Sequence, residues 1–365
     1  FFNWGVIIEK MVVKKMTDIN KKPLIENQDF VIYGNEDLHS IKEELLSHLV
    51  YKKQELLSFF HLSTISQISI YLFQNREEYF DFLSQYFTST NYSYGSATKN
   101  AIYYCYSNVS KNQCLPFLKI NLSHELAHIM YSYLYENCFS RPIWLDEGLA
   151  QVLSGEKEKL KDNDFAFRNF YFDRIVRRDK EIPPIEYLKK HGSEYGKFLD
   201  NKTNKYDGYA LAYLLVRYLM ETKENLYAII TDATKIENLE PTILEECIHY
   251  FNQKYPVQSN FYDIKTDGEL MDYMNKYILY GWLDKEKHSH INTLKGFHEQ
   301  YRTSSIEEIL NTKLATCIGQ AKLIQHWFQL NGIENKLFCL RNTSLETDIH
   351  EIEMHCFVLF HYQEN

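Results

Sequence analysis

No long run of lysine and arginine, no Cys-x-x-Cys pair and no apolar stretch of bilayer length occurs in the 365 residues, and each lack removes a class of function. Basic residues number 40 against 49 acidic ones, a net charge of −9, so there is no electrostatic footprint for a polyphosphate and nucleic acid is not an expected partner. The longest apolar run, Tyr209 to Met220, is interrupted by Arg217 and falls short of the roughly 20 residues that span a bilayer. It reads as a buried helix, and no membrane association is expected. The seven cysteines (Cys105, Cys114, Cys138, Cys247, Cys317, Cys339, Cys356) are odd in number and scattered, as reduced thiols in a reducing compartment are. Residues Phe1 to Met11 have no basic start and no small-residue cleavage site, so the reading is a cytoplasmic chain without a secretion signal. The chain opens on Phe1 rather than Met, which leaves room for residues upstream.

Internal repeats and low-complexity tracts are missing too, and Gly and Pro total only 13 and 7. With 45% hydrophobic and 24% charged residues this is ordinary globular composition, against disorder and against a fibrous class. What is plentiful is aromatic, with 29 Tyr and 23 Phe. The length favours two domains over one.

Residues 1–27 hold no sustained periodicity and are expected to be a tail or linker. A strand is expected over Asp29 to Tyr33. From Asp37 to Phe60, Ile41, Leu45, Leu46, Leu49, Leu56 and Leu57 recur at helical spacing and predict one long amphipathic helix. A strand (Ile68 to Phe73), a helix (Arg76 to Tyr86) and two short strands flanking a turn at Lys99-Asn100 follow. Helices are expected over Leu118 to Tyr135, Ile143 to Leu153 and Tyr206 to Met220. Turn chemistry between Gln253 and Asp267 marks a second unit, taken as residues 259–365 after a first domain of 28–258. That unit should hold helices over Glu269 to Tyr280, Ser305 to Leu310 and Cys317 to Leu330, then strands over Lys336 to Arg341 and Glu353 to His361.

The segment His124-Glu125-Leu126-Ala127-His128 sets two imidazoles four apart on a helix, so both project from one face and can share an ion. Zinc accepts imidazole nitrogen and in catalytic sites takes three protein ligands, keeping one position for water. Glu147, 19 positions beyond His128 on a separate helix, supplies the third. Glu125 would face the water that the Zn2+ ion activates and act as general base. The developing oxyanion needs a further donor, and Tyr206 and Tyr209 are the candidates. Asp146 reads equally as a second partner for a histidine or as an ordinary charge near a helix N-terminus.

This pattern, His-Glu-Leu-Ala-His, an 18-residue gap, then Glu147 in the segment beginning Trp144, resembles the gluzincin zinc metallopeptidases, whose folds include aminopeptidase-like and thermolysin-like forms. The resemblance covers about residues 28–255 and implies an α+β catalytic domain, Zn2+ as cofactor, a peptide or protein as substrate and hydrolysis of peptide bonds, with an endopeptidase favoured. It also implies that Gly95-Ser96-Ala97 lies near an edge strand that pairs with substrate backbone. Two departures stand out. No Gly-x-Met-Glu-Asn segment precedes the histidines, so the residues that bind a free amine in the aminopeptidases are absent. Lys205 occupies the place of their catalytic tyrosine, and Tyr206 is one position off.

In the second unit, Cys317 opens an amphipathic helix, where the macrodipole and free N–H groups favour thiolate, and His355 follows on a strand as a possible base. With Gly281-Trp282-Leu283-Asp284 and His355-Cys356-Phe357-Val358-Leu359, this stretch resembles the bacterial transglutaminase-like domains of the papain superfamily, again α+β. Members orient the histidine with an Asp or Asn on the next strand, and this sequence stops at Asn365, so the domain is expected to be truncated or to bind rather than react. Two further readings therefore stand beside the metallopeptidase: a cysteine acyl-transferase or thiol peptidase at Cys317 and His355, and a binding protein with enzyme-like folds.

Overall fold

The computed structural model describes residues 22–84, 94–134, 141–157, 160, 163–177, 179–183, 188–189, 206–223, 226–293, 295–342 and 353–360. Residues 1–21 of the expected tail and the expected end of the helix at Tyr86 lie outside them. The fold is α+β. Contacts divide the chain into two compact units, residues 1–161 with 183–250 and residues 162–182 with 251–365.

The first unit begins with a sheet. Strands β1 (Ile25–Glu26) and β2 (Phe30–Tyr33) lead into helix α1 (Lys42–Phe59), then β3 (Ile68–Phe73), α2 (Arg76–Ser84), β4 (Gly95–Ala97) and β5 (Ala101–Cys105). Their order in the sheet is β1-β2-β3-β5-β4, with β2, β3 and β5 parallel and β4 antiparallel to β5 at one edge. Alternation decides which face is buried: Ile68, Ile70 and Leu72 point into the core from β3. On the other face Tyr33, Tyr71 and Tyr103 stack across three strands with centroids 4.7 and 5.3 Å apart. Part of the aromatic surplus is thus a cross-strand ladder.

Helix α3 (Lys111–Ser132) begins seven residues earlier than its apolar pattern suggested and carries Pro116 inside it. Its stripe of Leu118, Leu122, Leu126 and Met130 is fully buried. Helix α1 packs against it, and two polar bonds tie the pair: His48 Nε2 to Ser123 Oγ at 3.0 Å and Lys119 Nζ to Glu44 Oε1 at 2.6 Å. Each such leucine contributes about 1.5–3 kcal/mol by leaving water, so the stripe fixes the rotation of α3.

Helix α4 (Ile143–Leu153) is buried along its first nine residues, Asp146 and Glu147 included. The chain then supplies α5 (Asp164–Tyr171) and a π-helical turn (Phe172–Val176) to the second unit before returning for α6 (Gly208–Thr222), α7 (Leu226–Ile230) and α8 (Ala233–Lys254). Helix α4 packs against both α3 and α6. Gly148 makes the second contact possible: a Cβ there would run into the Ala212 carbonyl oxygen and come within 2.5 Å of Val216 Cγ2.

In the second unit Asn163 caps α5 by accepting from Ala166 N at 3.0 Å. Helix α9 (Asp267–Tyr277) opens on a Thr266/Glu269 capping box and meets α5 through Asn275 to Asn169 at 2.7 Å and Arg168 to Asp272 at 3.4 Å. Strands β6 (Leu279–Leu283) and β7 (Ser289–Ile291), helices α10 (Phe297–Gln300) and α11 (Ile306–Thr312), and β8 (Leu314–Ala315) come next; the sheet order is β7-β6-β8. Helix α12 (Cys317–Leu330) then packs on the antiparallel pair β9 (Asn335–Asn342) and β10 (Glu353–Phe360). Tyr273, Ile309, Leu323 and Trp327 form the centre of this core. No helix of the described residues is long and apolar enough to cross a membrane.

Candidate metal centre

His124 and His128 are two residues out of phase with the buried leucine stripe of α3, about 200° round the helix at 3.6 residues per turn. Burial of that stripe therefore turns both rings toward α4. Their Nε2 atoms stand 3.1 Å apart. Glu147, on α4, places Oε2 3.5 Å from the first ring's Nε2 and Oε1 3.8 Å from the second's. The three donor atoms lie within 4.8 Å of one another, the single such grouping of three or more ligating side chains among the described residues, and they can hold a metal ion.

The outer nitrogens are held by separate carboxylates. His128 Nδ1 is 2.8 Å from Asp146 Oδ1, which also accepts from Arg141 at 3.2 Å. His124 Nδ1 is 3.4 Å from Glu156 Oε2. With Nδ1–H donated outward, each ring turns its Nε2 lone pair inward toward the other and toward Glu147. Glu147 Oε2 is buried there without a hydrogen-bond partner. Two lone pairs and a carboxylate oxygen facing each other in a half-buried space call for positive charge between them, and two imidazoles with one carboxylate are a donor set that suits a divalent ion. Protons answer the same demand: burial alone would strip the rings, but the neighbouring carboxylates of Glu147 and Glu156 raise His124 to about 10. At His128 burial is likewise outweighed, by Asp146 and Glu147. A cation entering here displaces protons.

Glu125 lies under the edge strand. A Cβ on Gly95 would strike its Oε1 and sit 2.6 Å from Tyr104 Cε2, so a glycine lets β4 cross the carboxylate. Burial pushes the Glu125 carboxyl above its ordinary range, with the two histidines opposing. That is the direction a general base for neutral pH requires.

The two tyrosine candidates part company. Tyr209 stands in the first turn of α6, where Asp207 caps the helix and Gln151 of α4 donates to the Tyr209 carbonyl at 2.9 Å. The residue is 38% exposed, yet its phenol is raised above the ordinary value by desolvation and then by Glu147 and Glu125, so it lies within their electrostatic reach. Tyr206 precedes the cap, and burial is what raises it. Lys205 lies outside the described residues.

In the second unit Cys317 is the first residue of α12 and is half-buried; Thr316 caps the helix, its Oγ1 accepting from Gly319 N at 3.4 Å. Tyr280 is close enough for the thiol to raise its phenol, after burial, and the Tyr301 hydroxyl is 3.5 Å from Thr316 Oγ1. His355 stands on β10 opposite Leu340 of β9, and its side chain lies outside the described residues.

Sequence reasoning passed over Glu156 and Arg141. The available signal for the first was Ser154-Gly155-Glu156, a glycine after a helix end followed by an acid; nothing in the residue pattern pointed to Arg141.

No protein-family model and no curated protein matches the chain. Among solved structures, an aminopeptidase N family protein from Idiomarina loihiensis aligns over 70% of this chain at 13% identity with a TM-score of 0.34. The chain spans 46% of that protein. At this distance neither fold nor function passes from one to the other, and the site stands on its own geometry.

Proposed function

We propose that the chain is a zinc-dependent metallopeptidase of gluzincin type, acting on a peptide or protein, with its reaction centred on the first unit. The observation that carries this reading is the convergence of His124, His128 and Glu147 within 4.8 Å beside a half-buried Glu125. His124 Nε2, His128 Nε2 and a Glu147 oxygen would hold the ion. When bound, zinc supplies a Lewis acid that acidifies water and polarises a carbonyl. The Glu125 carboxylate takes the proton from the attacking water and returns it to the leaving amine, for which a carboxyl raised by burial is suited. Tyr209 donates its phenolic hydrogen to the developing oxyanion; its raised pKa keeps that hydrogen in place at neutral pH. Strand β4 offers an edge beside Glu125 along which an extended substrate backbone can lie.

The second unit is assigned to the transglutaminase-like group on its Cys317 and His355 segments, with a role in presenting substrate. Cleavage of a mixed peptide library tests the proposal. Wild-type protein loaded with zinc should cut peptides, and Glu125→Gln should retain the metal and lose cutting; cutting that survives in Glu125→Gln places the chemistry elsewhere.

A further inference from the structure

The two histidines are supported unequally. Asp146 is nearly buried, its side chain 3% exposed, and Arg141 holds it from the other side. Glu156 reaches His124 from the turn after α4, and its side chain is 34% exposed. That turn is built for the purpose. Helix α4 ends at Ser154, Gly155 takes a left-handed φ of +79°, and the chain doubles back so that Glu156 N donates to Ser154 Oγ at 3.2 Å. The carboxylate is then shared: Oε2 faces His124 Nδ1 at 3.4 Å and Oε1 accepts from Lys157 Nζ at 2.7 Å. Glu147, from the middle of α4, and Glu156, from the turn after it, meet opposite nitrogens of one imidazole.

We infer that Glu156 is a positioning residue for the metal centre, fixing the ring of His124 so that Nε2 faces the ion, and that the Gly155 turn places it. The inference rests on the metal-centre reading and adds to it the residue that sets how tightly the ion is held at its more exposed histidine. A carboxylate on the outer nitrogen orients the ring and makes its inner nitrogen a better donor, and losing such a partner typically costs about 10–100-fold in metal affinity.

The test is titration of the metal-free protein with Zn2+ against a competing chelator, and with Co2+ followed by its visible absorption. Glu156→Ala should weaken zinc binding by about 10-fold or more and alter the cobalt spectrum, while thermal unfolding of the metal-free protein stays within a few degrees of wild type. Glu156→Gln keeps a carbonyl oxygen that can accept from Nδ1–H, and should recover most of the affinity. Gly155→Val, which strains the left-handed position, should weaken binding with Glu156 intact. Wild-type affinity and an unchanged cobalt spectrum in Glu156→Ala would overturn the positioning role and leave the metal centre standing. A wild-type protein that binds neither ion removes the centre itself, and the role with it.

Discussion

Each unit sets a candidate reactive side chain on a helix, yet the two helices differ in what meets them. On α3 the histidines are met by carboxylates from α4 and from the turn after it, and the charges are drawn into a half-buried space where each has a partner on a different segment. At the start of α12 the groups in view are hydroxyls: Thr316 caps the helix, the Tyr301 hydroxyl is 3.5 Å from Thr316 Oγ1, and Tyr280 lies within electrostatic reach of Cys317. The charged groups of that unit instead staple turns together: Arg302 grips both oxygens of Glu308 at 2.7 and 3.0 Å, and Asp284 Oδ1 accepts from the Glu286 and His288 N–H groups at 2.9 Å each. Charge converging on a point in a half-buried space is what chemistry needs, whereas charge distributed along turns serves shape. The contrast is the reason we propose turnover for the first unit.

The sharpest break of that contrast is Glu125→Gln, for which we expect peptide hydrolysis to fall by about 10³-fold with the metal retained, read by steady-state kinetics and elemental analysis. Next is the tyrosine pair. Tyr209→Phe should lower kcat by about 10²-fold while KM changes little, the signature of a donor used in the transition state, and Tyr206→Phe should stay near wild type. The reverse order would move the oxyanion donor to Tyr206.

Packing comes third. Gly148→Val forces α4 away from α6, and we expect a loss of about 1–3 kcal/mol in urea unfolding, with weaker activity because Glu147 and Tyr209 sit on the separated helices. A smaller effect belongs to the second unit's staples. The Arg302 guanidinium and the Ser305 N–H hold Glu308 at about 2, below its unfolded value. Its stabilisation is therefore present above the unfolded pKa and is lost as pH falls from the mid-fours toward 2. Glu308→Gln should flatten the melting temperature across that window and leave the neutral-pH dependence alone. The smallest effect expected is that of Cys317→Ala on peptide hydrolysis, a change under about twofold if turnover resides in the first unit; near-complete loss would hand the reaction to the thiol.

How much of this was legible in the residues depended on what each one needed from its neighbours. Helix α4 and strand β3 were readable to the residue, since a buried run or a strict alternation needs only local pattern. Helix α12 was equally clear, with Cys317 at its start and Asn331-Gly332 beyond its end. Helix α8 was missed, because Pro241 within it reads as a breaker and tertiary packing overrides that preference. The membership of residues 162–182 in the second unit rests on bonds such as Asn275 to Asn169, 106 positions apart, which no local pattern carries. At the site, His124, His128 and Glu147 announced themselves by spacing. Asp146 remained ambiguous until its 2.8 Å bond to His128 was in view, and Glu156 depended on a left-handed glycine that only the folded backbone displays.

Whether the three ligands hold an ion is decided by the zinc content of the purified protein, measured by elemental analysis in wild type and in the His124→Ala and Glu147→Ala variants. We expect one zinc per wild-type chain and close to none in either variant. A wild-type chain that takes up no zinc when supplied with it, or variants that hold zinc as well as wild type does, would contradict that expectation.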